Sequence, residues 1–265
     1  MMAGREYHGT LPVNVARMPM KSIFQRLLPA FALLSSIHTE AASPDWQAWD
    51  QLLSRHVNNG YVDYTAISQA PALSELAQAV AQAELDPLNQ REKLVFYINA
   101  YNVLAVKGII DGRSPASLLG RANFFRLSQY QIGGEKLSLY ALEHDRIIPL
   151  QEPRIHFAIV CASQSCPILR SEAYNTLDLE TQLDAAARHF LADSSKNRFV
   201  KTQRIAWISS IFKWFRGDFE QHSGTLQAYL AQYVSDPDVA KLLREEAFEL
   251  RFLDYDWSLN GSFDP

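Results

Sequence analysis

The run from Asp86 to Gly112 leaves this chain little choice of local structure. Asp86-Pro87 offers an N-cap followed by proline at the first helical position, and Asp111-Gly112 offers a stop. The residues between predict one long helix ending near Ile110. Two asparagines interrupt its apolar character. Asn102 shares a face with Val95, Ile98 and Val106, so its amide is expected to be buried and hydrogen-bonded. It suits pinning a neighbouring loop, orienting a catalytic histidine or donating to an oxyanion. Asn99 is a second such residue, a candidate for ligand contact.

Around this helix the chain reads as helices first and mixed elements later. Trp46, Trp49, Leu52 and Leu53 have helical spacing within 45–57, residues 60–64 form a turn or short extended piece, and 72–85 read as helix. Residues 129–137 carry a hairpin signal around Gly133-Gly134, and Ser138 caps a helix through Ile148. The apolar run 155–161 predicts a short buried strand. A helix over 178–193, a hairpin over 199–208 and helices near 209–219, 224–234 and 236–246 follow, with a strand at 248–253. The fold class is α+β, mostly helical with a small, mainly antiparallel sheet.

The N-terminus predicts export. Met20, Lys21 and Arg26 form a short basic region, and residues 27–34 form an apolar stretch of secretory length, far short of the ~20 residues that span a bilayer. Small residues at 39–42 place cleavage after Ala41 or Ala42, without a lipoprotein cysteine. Residues 1–19 read as upstream sequence, 20–42 as the signal peptide and 43–265 as one globular domain, periplasmic or extracellular. No second apolar run is expected to cross a membrane. A hydrophobic share of 48% argues against disorder, and a net charge of −4 against a nucleic-acid binder. The expected partner is a small molecule or peptide, with no cofactor and no metal.

The chemistry concentrates in RIHFAIVCASQSCP, residues 154–167. A buried strand running into a loop of small residues would hold Cys161 where a rigid scaffold meets accessible backbone, a suitable place for a nucleophile. Strand alternation would turn His156 to the face opposite Cys161, so His156 is expected to orient another group. His144 is the expected base. Glu143 falls inside the apolar arc of its helix, where a carboxylate needs a partner, with Arg154 or His156 as candidates. Lys213 and Arg216 are candidates to frame an anionic ligand. Zinc held by His144, His156, Cys161 and Cys166 is disfavoured by the C-x4-C spacing. The chain lacks a phosphate-binding glycine loop, HExxH and G-x-S-x-G.

The segments FYINAYN, SLYALEH, RIHFAIVCASQSCP, IFKWFRGDF and YDWSLN together resemble the family called domain of unknown function 547, from about Val62 to Asn260. That family includes many exported bacterial proteins. The resemblance implies that cysteine is kept at the place of Cys161, while plant relatives have serine at the place of Cys166. It thereby raises Cys161 as an individual thiol, but it implies no activity.

Two functions compete. One is a thiol-dependent hydrolase or acyl transferase acting on peptide or amide bonds, with Cys161 as nucleophile, His144 as base and Glu143 or Asn102 orienting. The other is a non-enzymatic envelope module stapled by a Cys161–Cys166 disulfide, which the oxidising compartment favours. A redox cycle of the pair ranks last, because the spacing is not C-x-x-C.

Overall fold

The computed structural model describes residues 44–264; the export signal at 20–42 and the upstream segment lie outside them. Asp45 caps the first helix, α1 (Trp46–His56), by accepting from Gln47 N–H. Strands β1 (Val57–Asn58) and β2 (Tyr61–Asp63), the short α2 (Tyr64–Ser68) and α3 (Pro71–Gln82) follow. The long helix α4 runs Gln90–Ile110, starting later than Asp86-Pro87 suggested. Its cap is Asn89, joined with Glu92 in a reciprocal capping box, which satisfies two of the helix's free N–H groups and outcompetes a proline-led start.

Helix α4 is buried on nearly every side. Its length and mean hydropathy of 1.2 would suffice to cross a membrane, contrary to the expectation that no second run would do so, yet 83% of the apolar window is buried within the domain. Here it is the central core helix. Asn99 and Asn102, both buried on α4, fasten two loops to it. Asn102 donates to Ala158 O (2.9 Å) and accepts from Val160 N–H (3.0 Å). Asn99 does the same with Tyr174 O and N–H. Each amide thus replaces a backbone partner for a segment that has none in a sheet.

After α4 come α5 (Leu118–Ala122), a π-helical turn (Asn123–Leu127), the hairpin β3 (Tyr130–Ile132) and β4 (Glu135–Leu137), and α6 (Leu139–Leu142). Ser138 caps α6 as expected, accepting from Ala141 N–H, but the helix passes into a second π turn at Glu143–Ile147 and a 3-10 turn at Ile148–Leu150.

The expected strand over 155–161 is absent. Pro153 opens a 3-10 turn, Pro153–Phe157, and an irregular loop carries the chain through Cys161. The apolar run has a different cause. Ile155, Ala158 and Val160 enter the core built around α4, whereas Phe157 enters a second core of Phe190, Phe212, Phe219 and Tyr229. A segment buried from both sides is apolar throughout without being a strand.

Helix α7 (Leu179–Ala192), strands β5 (Arg198–Val200) and β6 (Ile205–Ile208), and helices α8 (Ile211–Trp214), α9 (Arg216–Ser223), α10 (Leu226–Leu230) and α11 (Pro237–Arg244) build the second core. Strand β7 (Glu249–Phe252) pairs parallel with β6, which pairs antiparallel with β5. A final strand, β8 (Gly261–Ser262), lies parallel to β2, which pairs antiparallel with β1. The class is α+β and mostly helical, with three small sheets among the described residues where one was expected.

Candidate functional site

A cavity of about 550 Å³ opens where the two cores meet, within the size range of small-molecule sites. Cys161 and Cys166 border it, and both thiols are free, without the disulfide that the second of the two readings required. The partly exposed Cys161 sulfur lies 2.8 Å from Cys166 Sγ, 2.9 Å from Ser163 Oγ and 3.1 Å from Tyr255 Oη. Burial pushes the Cys161 thiol up. Hydrogen bonds with Cys166, the Ser163 hydroxyl, the Tyr255 hydroxyl and the Ser163 backbone outweigh it and hold the thiol below its ordinary value. The neighbour moves the other way: burial and then the adjacent Cys161 sulfur raise Cys166 well above the usual range. The pair therefore divides its labour: Cys161 is the member that gives up its proton first, and Cys166 holds its own.

The loop is held in place from three sides. Asn102 fixes its entry through Ala158 and Val160. Ala162 adopts φ +59°, a left-handed conformation uncommon outside glycine, immediately after the thiol. The C-terminal tail then laces to the exit: Gln164 N–H donates to Ser258 O (2.8 Å), Asn260 N–H to Ala162 O (3.2 Å) and Asp256 N–H to Ser165 Oγ (2.9 Å). This tail delivers the Tyr255 hydroxyl to the sulfur. Burial and the Cys161 charge keep that phenol protonated, well above its ordinary value, and so a donor.

A second polar group borders the same cavity. His156 donates from Nε2 to Asp218 Oδ2 at 2.8 Å and stacks on Phe215, ring centroids 3.9 Å apart. Its Nδ1 is buried without a hydrogen bond, 3.9 Å from Glu143 Oε1. Burial lowers His156, against the pull of Asp218. Burial, reinforced by the Cys161 and Asp218 charges, raises Glu143 from 4.5 to about 8. At neutral pH the arrangement is a neutral imidazole beside a protonated carboxyl, a proton held close to the cavity wall. His156 and Asp218 also border a second cavity of about 260 Å³.

The sequence-derived residues are distributed as follows. Cys161, Cys166, Glu143, His144 and His156 all line the larger cavity. His156 shares it with Cys161, contrary to the alternation argument, because the chain there is a 3-10 turn and loop. Of the two partners expected for Glu143, His156 lies beside it at 3.9 Å without a hydrogen bond. Arg154 instead binds Glu152, Glu180 and Asp184 and lies outside the cavity lining. His144, the expected base, makes no hydrogen bond to the thiol: its Nδ1 lies 3.1 Å from Tyr140 O and its ring stacks on Tyr140. Asn102 and Asn99 hold loops. Arg216 pairs with Glu220, and neither it nor Lys213 lines the cavity. Sequence reasoning did not single out Ser163, Asp218, Tyr255, Trp257, Arg121 or Arg126. No cluster of metal-ligating side chains occurs among the described residues.

These features define a class: an α+β domain whose half-buried, hydrogen-bonded thiol lies on an aromatic cavity beside a protonated carboxyl. The family model described as "Protein of unknown function, DUF547" matches residues 85–191, and over that stretch the chain is similar to that family. The match takes in α4, Glu143, His156, Cys161 and Cys166; Asp218 and Tyr255 come from beyond it. No curated protein and no solved structure matches the chain.

Proposed function

We propose that the protein is a thiol-dependent acyl-transfer enzyme, a hydrolase or acyl transferase, with Cys161 as nucleophile. The observation that carries this reading is the ring of hydrogen-bond partners around the Cys161 sulfur, which favours thiolate at the wall of a ligand-sized cavity. A thiolate formed this way needs no histidine in contact, which fits the separation of His144 from the sulfur.

The reaction balances with groups at hand. The Cys161 thiolate attacks the carbonyl carbon of an amide, ester or thioester, and the bond to the leaving group breaks. The leaving group takes the proton of Glu143, giving a thioester on Cys161 and a Glu143 carboxylate. Water or an acceptor amine or alcohol then attacks the thioester and returns its proton to Glu143, and the thiolate is released. Asp218 keeps His156 in the tautomer whose Nδ1 faces Glu143, a positioning role.

The test is trapping. Incubating the protein with an aryl thioester, quenching in acid and measuring intact mass is expected to show one acyl adduct on Cys161, absent from Cys161→Ala. A protein that arrives two hydrogens lighter and takes no acyl group would overturn the reading in favour of a disulfide-stapled binding module.

Export is the second part of the proposal, supported by Lys21, Arg26 and the apolar run 27–34. N-terminal sequencing of the protein from producing cells is expected to begin at Ala42 or Ser43. An uncleaved chain confined to the cytosol would contradict it.

A further inference from the structure

The mouth of the thiol cavity carries two guanidinium groups in an unusual state. Arg126, exposed, lies over the Tyr140 ring at 3.5 Å and has no hydrogen bond among the described residues. Arg121 lies over the Trp257 ring at 4.7 Å, with only a long hydrogen bond, 3.4 Å, to Pro115 O. Neither pairs with a carboxylate among the described residues, whereas Arg113, Arg146 and Arg154 each hold an acid. A guanidinium lying over a ring without an acid partner has N–H groups to offer, and their fork matches the two oxygens of a carboxylate.

Between these cations and the thiol the wall is aromatic. Trp257 stacks on Trp214 (5.8 Å) and meets Phe125 edge-on (6.2 Å), and Tyr255 lies 4.5 Å from Trp257. Trp214 is 48% exposed, a large apolar surface left at a cavity edge. Glu143, the one carboxyl lining this cavity among the described residues, is buried and protonated at neutral pH, so it does not neutralise the rim.

We infer that the cavity binds a flat apolar molecule bearing a carboxylate, the rings packing against Trp257 and Trp214 and the carboxylate meeting Arg121 and Arg126. This deepens the acyl-transfer reading by naming its substrate class: an acyl compound with an aromatic or similarly flat body and an anionic group at the end remote from the reacting carbonyl. Charge complementarity selects this occupant over a neutral peptide or a cation.

The test separates binding from chemistry by using Cys161→Ala, which cannot acylate. Calorimetric titration with 2-naphthoate and with its neutral isostere 2-naphthamide is expected to favour the carboxylate by about tenfold or more, the equivalent of one charge-assisted contact. In Cys161→Ala carrying Arg121→Gln and Arg126→Gln the preference is expected to vanish while naphthamide affinity persists. Retained naphthamide binding also shows that the variant is folded. Equal binding of the two probes, no binding of either, or a preference that survives both arginine changes would overturn the inference. Acyl trapping on Cys161 is an independent readout: adducts without carboxylate preference would sink the substrate class alone, and carboxylate preference without adducts would sink the enzyme alone.

Discussion

The charge on Cys161 depends on neighbours that can be removed one at a time. Cys166, Ser163 and Tyr255 each hydrogen-bond the sulfur, and hydrogen bonds to a charged group contribute about 1.5–3 kcal/mol each. Cys166→Ala, Ser163→Ala and Tyr255→Phe are therefore each expected to slow iodoacetamide alkylation of Cys161 at pH 7 by roughly tenfold, one pKa unit being tenfold in thiolate below the midpoint. Unchanged rates in all three would refute the donor account. Glu143 gives a prediction of different sign. Its folded value of about 8 exceeds the unfolded 4.5, so the native state holds more protons between them, and the stability contributed below 4.5 is lost as pH rises toward 8. Burial lowers His156 and works oppositely, withdrawing stability as pH falls through the imidazole range. Glu143→Gln isolates the first effect: its melting temperature should fall less than the wild type's between pH 5 and 8. Parallel pH profiles would contradict a buried, protonated Glu143.

At the scale of elements, periodicity and caps exposed most helices and the hairpins over 129–137 and 199–208, because those signals are local. Ser138 and the Gly133-Gly134 turn stand where composition put them. The start of α4 was also legible, in the spacing of Asn89 and Glu92, but Asp86-Pro87 drew attention away from it. The run 155–161 misled for a physical reason: burial between two cores removes polar residues as thoroughly as burial in a sheet does. The rim was illegible for another. Arg121 and Arg126 are five apart, about 140° around an α-helix, and share a cavity only because the chain enters the π turn at Asn123–Leu127. Tyr255 and Asp218 sat within quoted motifs, yet nothing local tied them to Cys161 or His156. Asn99 and Asn102 were legible as buried amides. Asn102→Ala would leave Ala158 O and Val160 N–H without partners, an expected cost of about 1–3 kcal/mol in urea denaturation. Asn99→Ala should cost a similar amount and add nearly independently, since it serves a separate loop at Tyr174. A loss below about 0.5 kcal/mol for Asn102→Ala would show that the loop holds itself.

Across the whole molecule the site depends on distant parts of the chain closing on each other. The tail that supplies Tyr255 and Trp257 is anchored by Asn260, which accepts from the Tyr64 hydroxyl at 2.7 Å, and by β8 against β2. A Cβ at Gly261 would collide with the Val62 carbonyl, so Gly261→Ala must displace that strand. It is expected to lower stability by about 1–3 kcal/mol, the usual cost of overpacking, and also to slow Cys161 alkylation by loosening Tyr255. A loss of stability with unaltered thiol reactivity would show that the tail is only a clasp. The account as a whole rests on one thiol being held as thiolate in the native fold. The pH dependence of iodoacetamide alkylation, with the label located by mass spectrometry, tests this most directly. The account predicts that Cys161 is labelled first and titrates below an ordinary cysteine, with Cys166 reacting only at much higher pH. Labelling of Cys166 ahead of Cys161, or a Cys161 midpoint at or above that of a free thiol, would contradict it.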